Sequence, residues 1–247
     1  MTTLQDDVII SLIENEDDLK QANVCVSEAF GRQTQDAVWM LMNPGWETEE
    51  GQARNAQSLI KQWKSTTFNK DGLPNAMYLK ATLPDPDNEG RRKVVGYAVW
   101  KQLSYVEGYG EPFTGDMTEA VKELDEADQR FATQMFASLW KRRLEYIREV
   151  SAAGSGHNPP AIFTLDICAV HPGYQRRGIA GKLVDVGLAE AKKRGDLECT
   201  TEGSAMGRPV YMKRGFKHEG VGDVVWEVDE EFRGRDKPPN IFLRTRA

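Results

Sequence analysis

Residues 161–194 constrain the fold most strongly, because an apolar segment is followed there by a basic, glycine-bearing turn and then by an amphipathic stretch. Residues 163–170 are almost entirely apolar, which is typical of a strand covered on both faces. After the turn, apolar residues recur at helical spacing and Gly195 provides a helix stop. This stretch therefore predicts a strand, a loop and a helix in succession.

The rest of the chain predicts an alternation of strands and helices. Strands are expected at residues 8–12, 77–82, 93–102, 197–201, 216–219, 224–228 and 241–243. Helices are expected at residues 16–30, 48–64 and 204–214, and Gly31 is the expected stop of the first helix. Residues 37–46 contain two tryptophans and predict either a buried connection or a wall of a substrate site.

An insertion at about residues 104–160 interrupts this alternation. Apolar residues between 116 and 150 recur at intervals of three, four or seven, and the spacing slips after Leu139. We expect one long helix, or two helices with a break near Leu139. A helical layer over one sheet face is favoured over a dimer contact or a regulatory arm. Residues 151–160 predict a mobile linker.

Composition limits the function classes. The formal net charge of -6 argues against a broad nucleic-acid surface, which needs a basic footprint. The three cysteines and three histidines lack paired spacing, so we expect no metal site. No basic leader begins the chain, and no run reaches the roughly 20 apolar residues of a membrane helix. We expect a cytoplasmic protein without membrane contact, with the nucleus as the alternative compartment.

The turn before the helix of residues 179–194 has the features of an anion site. It reads Gln-Arg-Arg-Gly-Ile-Ala-Gly from Gln175 to Gly181, so backbone N–H groups point outward at the positive end of a helix. Gly178 and Gly181 leave room for an anion, and Arg176, Arg177 or Lys182 add charge. The spacing matches neither GxGxxG nor a Walker A loop. A pyrophosphate fits, and a basic helix start with a turn glycine is the alternative.

With these residues in place, the stretch 165–183 resembles motif A of the GNAT acyl-coenzyme A N-acyltransferases. Their signature is Q/R-x-x-G-x-G/A, and Gln175, Gly178 and Ala180 occupy its positions. Residues 207–216 resemble the family's GxxxYxxxGF ending, and the insertion is similar to that of fungal small-molecule-type members. The resemblance implies a single α+β GNAT domain over residues 1–247. Its sheet would be mixed, mostly antiparallel and twisted, with about seven strands and helices on both faces.

The resemblance also implies acetyl-coenzyme A as co-substrate. The pyrophosphate would lie on the motif A loop, formed by Gln175, Arg176, Arg177, Gly178, Ile179, Ala180, Gly181 and Lys182. The pantetheine arm would run beside the backbone of Cys168, Ala169 and Val170 like an added strand. Ser204 stands where the family often places a polar contact to that arm, and an N-cap role is its alternative.

Two residues are predicted to act in catalysis. Tyr211 matches the family's general acid, which protonates the departing thiolate, and a core ring is the alternative. Asp166 is the predicted base, because burial would raise its pKa and it shares the face of Cys168 if the strand carries no bulge. Glu202 competes for that role, as does a relay through water. Core packing is expected for Cys168, rather than a covalent acyl-enzyme.

Together these features predict an N-acetyltransferase that transfers an acetyl group from acetyl-coenzyme A to a primary amine by direct attack. The acceptor is expected to be a small molecule, and the enzyme a monomer or homodimer. Two alternatives stay open: a coenzyme A-binding regulatory module without turnover, and an acetyltransferase acting on protein lysines or N-termini.

Overall fold

Seven strands form one sheet in the computed structural model, which describes residues 7–220 and 222–247. Their order across the sheet is β1-β2-β3-β4-β5-β7-β6, and every neighbouring pair is antiparallel except β4 with β5. The strands are β1 (Ile9–Leu12), β2 (Ala76–Pro84), β3 (Arg92–Leu103), β4 (Ile162–Val170), β5 (Glu198–Ser204), β6 (Lys217–His218) and β7 (Asn240–Arg244). The predicted α+β class with a mixed, mostly antiparallel sheet is confirmed.

The helices lie between these strands along the chain. They are α1 (Glu16–Val26), α2 (Ala37–Met42), α3 (Glu49–Lys64), α4 (Thr118–Val121), α5 (Glu126–Ser151), α6 (Ile179–Lys193) and α7 (Arg208–Met212). Side-chain caps fix several starts: Asn15 accepts a hydrogen bond from Asp18 N at 3.0 Å, and Thr48 accepts one from Gly51 N at 3.0 Å. Helix α6 ends as predicted, at a left-handed Gly195 with a φ of 97°.

The connection between α1 and α3 differs from the prediction. Gly31 does not end the first helix, because the chain continues as a π-helical turn from Ser27 to Gln33. The six-membered ring of Trp46 packs on Gly31 so closely that a Cβ there would lie 2.7 Å from it. Residues 37–42 form α2 rather than a loop, because the Asp36 side chain caps the helix by accepting from Trp39 N at 2.9 Å.

The insertion contains two helices, and the predicted break near Leu139 is wrong. Helix α4 ends at Val121, and α5 runs without interruption from Glu126 to Ser151. The break lies at residues 122–125, where the Asp125 carboxylate accepts from Asp128 N at 2.8 Å and starts a new helix.

The C-terminal segment also departs from the predicted strands. Residues 224–228 do not form a strand, although Val224 N donates to Asn240 O at 2.6 Å. Trp226 and Val228 instead pack against the α5 residues Phe131 and Met135, with which they share an apolar cluster. Their apolar pattern therefore reflects contact with a helix. The predicted helix at 204–214 is shorter, and α7 begins at Arg208.

Helices cover both faces of the sheet, as predicted. Phe163 of β4 packs with the α6 residues Leu183 and Val184, whereas the adjacent Ile162 packs with Ile147 of α5. Consecutive strand residues point to opposite faces, so α5 and α6 lie on opposite sides of the sheet. Helix α1 shares the face of α5, because Val26 packs with Val99 and Ala169. The insertion thus forms the predicted helical layer on one face.

The described residues were compared with three kinds of feature: disulfides, membrane-spanning helices and metal sites. Cys25, Cys168 and Cys199 are free thiols. In the described ranges no helix is both long and apolar enough to cross a membrane. Those ranges also contain no group of three His, Cys, Asp or Glu side chains placed to hold a metal ion.

The contact between α6 and the sheet depends on Gly187, and this generates a prediction. A Cβ at Gly187 would lie 2.0 Å from the Trp100 indole, which is fully buried against Phe163. We expect Gly187→Ala to lower the free energy of unfolding by about 1–3 kcal/mol, the usual cost of overpacking a core, despite the better helix propensity of alanine. Urea denaturation measures this. Gly234→Ala is the control, because a Cβ there meets nothing within 4 Å; equal stability of both variants would contradict the packing argument.

Candidate active site

Strands β4 and β5 pair over only three residues and then separate. The parallel ladder joins Ile162 to Glu198, Phe163 to Cys199 and Thr164 to Thr200. One further tie follows, in which Thr201 Oγ1 donates to Leu165 O at 2.9 Å. Beyond it, β4 continues to pair with β3 but no longer with β5. The backbone of β4 therefore has an unpaired edge in the middle of the sheet, which is able to hydrogen-bond a ligand.

A bulge lies in β4 where this opening begins. Leu165 pairs with Trp100 and Ile167 with Val99, so Asp166 is the extra residue. The residue is exposed, although its neighbours in the central strand are buried or half-buried. The predicted shared face of Asp166 and Cys168 depended on a regular strand, and the bulge removes it. Cys168 packs into the core on the α6 side, whereas Asp166 contacts α5.

The turn between β4 and α6 presents free backbone N–H groups. Gly178 is the N-cap in the left-handed region, with a φ of 75°, and no described side chain caps the helix. The first helical hydrogen bond runs from Lys182 N to Gly178 O at 3.0 Å. The N–H groups of Ile179, Ala180 and Gly181 precede it and have no partner within the helix. Together with the helix dipole they are suited to bind an anion.

The side chains of this turn have distinct environments. Gln175 Nε2 donates to Val170 O at 3.0 Å and to Gln33 Oε1 at 2.7 Å, so its side chain fastens the loop to the end of β4 and to the π-helical turn. Arg176 is exposed and adopts a φ of 63°, while Arg177 lies over the Tyr174 ring at 5.4 Å. Lys182 is half-buried in the first turn of α6. Several positive charges therefore surround the free N–H groups.

Gly181 has a different role from the one predicted for it. A Cβ at this position would lie 1.9 Å from the Arg214 guanidinium. Arg214 Nε donates to Gly181 O at 2.9 Å and pairs with Asp185 at 2.7 Å. The glycine thus makes room for an arginine that joins α6 to the segment after α7, and only its N–H group faces the anion site.

Tyr211 lies on the α6 side of the opening. Its side chain is buried, and Cβ atoms at Gly203 and Gly207 would contact its ring at 3.5 and 2.6 Å. Burial and the neighbouring Cys168 raise the pKa of Tyr211 well above its usual value, so the phenol keeps its proton at neutral pH. Among the described residues its hydroxyl has no hydrogen-bond partner. The hydroxyl proton is therefore not engaged in a hydrogen bond with another described residue.

Cys168 and Ser204 are the two other polar side chains predicted for the donor site. Burial raises the pKa of Cys168 to about 12, so the side chain is a thiol and not a thiolate at neutral pH. Ser204 ends β5, and its Oγ accepts from Gly207 N at 3.2 Å, which caps the turn that leads into α7. The hydroxyl keeps a proton to donate, because it is the acceptor in that hydrogen bond.

Four charged side chains meet on the α5 side of the opening. Arg143 donates from Nη1 to Asp166 at 2.8 Å and from Nε to Glu202 at 3.0 Å, and its Nη2 donates to the second Glu202 oxygen. Lys101 of β3 also pairs with Asp166 at 2.8 Å. The Arg143 side chain is 2% exposed and that of Glu202 is 6% exposed. Two cations and two anions thus form a neutral cluster.

The cluster separates the pKa values of its two carboxyl groups. Burial alone would raise the pKa of Asp166, but the charges of Lys101 and Arg143 outweigh burial and hold that pKa well below its usual range. The predicted rise for Asp166 is therefore wrong. Burial raises the pKa of Glu202, against the opposing charge of Arg143. Of the two carboxylates weighed as base, Glu202 has the pKa that suits proton abstraction.

Sequence reasoning missed Arg143, Lys101 and Gln33. Arg143 had a detectable signal, because it occupies the buried stripe of α5 at the point where the apolar spacing slips. Lys101 and Gln33 had none, since a lysine at a strand end and a glutamine at a helix end are ordinary surface residues.

The part of the chain that contains the candidate site also matches a known protein family. Residues 121–224 match the acetyltransferase (GNAT) domain, a range that includes the opening, the loop and Tyr211. No curated protein sequence matches the chain.

Solved structures of N-acetyltransferases resemble the whole chain. The Drosophila melanogaster polyamine N-acetyltransferase has 13% identity and a TM-score of 0.59, covering 96% of this chain and 97% of that one. Arylalkylamine N-acetyltransferase 2 from Aedes aegypti has 16% identity and a TM-score of 0.56, covering 96% and 98%. An apo variant of agmatine N-acetyltransferase has 12% identity and a TM-score of 0.59, covering 97% of each. The chain therefore has the GNAT acetyltransferase fold, and its residues 121–224 match the domain of that name.

Proposed function

We propose that this protein is an N-acetyltransferase that transfers the acetyl group of acetyl-coenzyme A to the primary amine of a small molecule. One observation carries the proposal. The uncapped start of α6 lies at the carboxyl end of the same strand whose edge is left unpaired, with Tyr211 beside that edge. An anion site, a row of free amide groups and a proton donor thus follow one another, as a phosphorylated thioester donor requires.

The donor's parts fit these groups in order. The pyrophosphate suits the N–H groups of residues 179–181, with Arg176, Arg177 and Lys182 at the rim. The amides of the pantetheine arm suit the free backbone edge of Cys168, Ala169 and Val170, because an extended chain pairs with a strand edge. Ser204 lies at the end of β5, the strand on the other side of the opening. This path directs the thioester towards the bulge at Asp166.

Residues on both sides of the opening supply the chemistry. An alkyl ammonium has a pKa near 10.4, so the acceptor must lose a proton before it attacks. Glu202 accepts this proton, directly or through water. The free amine then attacks the thioester carbonyl, and the carbon–sulfur bond breaks. The thiolate takes the proton of the Tyr211 hydroxyl, and the second proton that the nitrogen loses returns to the tyrosinate through water. The products are the N-acetyl amine and coenzyme A.

Direct attack is favoured over a covalent acyl-enzyme. The raised pKa of Cys168 leaves little thiolate at neutral pH. No described histidine forms a hydrogen bond with Cys168, whereas an activated cysteine needs a base beside it.

A small amine is the acceptor that the α5 side of the opening suits. The Arg143 guanidinium lies over the rings of Phe113 and Trp140 at 5.5 and 5.9 Å, so aromatic side chains adjoin the charged cluster there. The solved structures that share this fold include enzymes named for agmatine, arylalkylamines and polyamines. Those names support a small-amine acceptor for this chain.

Donor binding tests the proposal first. Coenzyme A at a hundredfold excess over its Kd is expected to stabilise the folded protein by about 2.7 kcal/mol. Thermal denaturation monitors this, with adenosine as the control ligand, because adenosine lacks the pyrophosphate and the arm. A melting temperature unchanged by coenzyme A would contradict the proposal. Thiol release from acetyl-coenzyme A with phenethylamine, agmatine and spermidine then separates an enzyme from a binding module.

Replacement of the proposed acid tests the chemistry. Tyr211→Phe removes only a hydroxyl that has no described hydrogen-bond partner, so stability and the Kd for coenzyme A are expected to stay near those of the wild type. We expect kcat to fall by about 10²–10⁴, the usual contribution of a general acid. Tyr105→Phe is the matched control, because it also removes a single tyrosine hydroxyl. That hydroxyl donates to Phe113 O, over a distance of 2.5 Å, and not to a group of the opening. A wild-type kcat in Tyr211→Phe would mean that Tyr211 is only a core ring.

Replacing Glu202 or Asp166 is expected to change the dependence of kcat/KM on pH in different ways. A base must be ionised, so kcat/KM is expected to rise with pH through the Glu202 pKa, which burial places above the usual range of a glutamate. Glu202→Gln is expected to remove this acid limb and to lower kcat/KM by about 10²–10⁴. Asp166→Asn is expected to keep the limb, because the Asp166 pKa lies far below it. An acid limb lost in Asp166→Asn and kept in Glu202→Gln would reverse the assignment.

A further inference from the structure

Arg143 joins β4 and β5 where their backbones no longer pair. The last backbone pair is Thr164 with Thr200, and the last tie of any kind below the cluster is Thr201 to Leu165. One residue further along each strand, the Arg143 guanidinium spans the gap between Asp166 on β4 and Glu202 on β5. The distance between the two strands at Asp166 and Glu202 therefore matches the dimensions of the Arg143 side chain.

The guanidinium is itself held in place. It comes from α5, a helix of 26 residues that packs on the sheet through Tyr146, Ile147 and Val150. The rings of Phe113 and Trp140 cover it, and its side chain is 2% exposed. It uses three nitrogen atoms in a planar fork, which a lysine ammonium cannot reproduce. Its position is thus determined by the helix and by both carboxylates.

The acyl group of a donor would lie next to this bridge. In the proposed function, on which this step rests, the pantetheine arm passes Val170 and Cys168 and leads to the bulge at Asp166. The Leu165–Thr201 tie closes the opening below, and Arg143 closes it on the α5 side. An acyl chain that extends past the bulge would meet these groups first.

We propose that Arg143 is a positioning residue that sets the width of the opening between β4 and β5 and so restricts the donor to short acyl groups. The insertion would then contribute to donor selection as well as covering the sheet. Arg142, its neighbour in α5, provides a contrast. Arg142 pairs with Glu149 and Glu219, and its guanidinium lies over Tyr146, so it does not reach the opening.

The test compares the affinities of the wild type and three variants for acetyl-coenzyme A and butyryl-coenzyme A by calorimetry, which needs no acceptor. The wild type is expected to prefer the acetyl donor by at least about tenfold, since one methylene in a closed pocket is worth 10–200-fold. Arg143→Lys keeps the charge but cannot bind both carboxylates in the same fork. It is expected to reduce the preference about tenfold. Arg142→Lys is the control and is expected to leave the preference unchanged.

A second variant keeps the test decisive if Arg143→Lys does not fold. Asp166→Glu retains every charge, leaves Glu202 untouched and lengthens the bridge by one methylene, so it is also expected to weaken the preference. An unchanged preference in whichever of the two variants folds would overturn the role of Arg143. Absence of coenzyme A binding by the wild type would instead overturn the proposed function, and the role of Arg143 with it.

Discussion

The early end of the pairing between β4 and β5 is the constraint on which the candidate site depends. A sheet that stayed paired would leave no free amide groups beside Cys168, and the anion site at the start of α6 would stand above a closed surface. Several local features maintain the separation. The bulge at Asp166 turns β4, and the buried Arg143 occupies the space between Asp166 and Glu202. The site is therefore a consequence of how two neighbouring strands are kept apart.

Much of the fold could be predicted because its signals are local. Helices α3 and α6 have a periodic apolar stripe and a clear start or stop, and strands β2, β3 and β4 lie within two residues of the predicted ranges. The errors arise where tertiary contacts compete with those signals. Residues 224–228 have an apolar pattern but pack on α5, and α2 forms in a segment that was expected only as a connection between two helices. Neither outcome is determined by the local sequence.

In the candidate site, too, contiguous motifs could be predicted from the sequence, and contacts between distant residues could not. The loop from Gln175 to Gly181 is a contiguous motif, so a loop before a helix could be predicted there from the sequence, and Tyr211 was proposed from its place in a contiguous motif that resembles the family's ending. The face of Asp166 depended on regular alternation along β4, which a single extra residue reversed. Arg143 lies 23 residues before Asp166 and 59 before Glu202, so no short motif connects them. The slip in the apolar spacing after Leu139 offered one place for a break, whereas in α5 it marks a charged residue in the buried stripe.

A cluster of four charges with a buried Arg143–Glu202 pair needs an explanation beyond stability. Removing that cation and that anion from water is costly, and apolar side chains of similar volume often stabilise a protein as well or better. Apolar side chains would, however, close the space between β4 and β5 by packing together, whereas the guanidinium keeps Asp166 and Glu202 at fixed positions on either side. The same arrangement lowers the pKa of Asp166 and leaves that of Glu202 raised. One arginine from the insertion thus links the shape of the opening to the protonation of the carboxylates beside it.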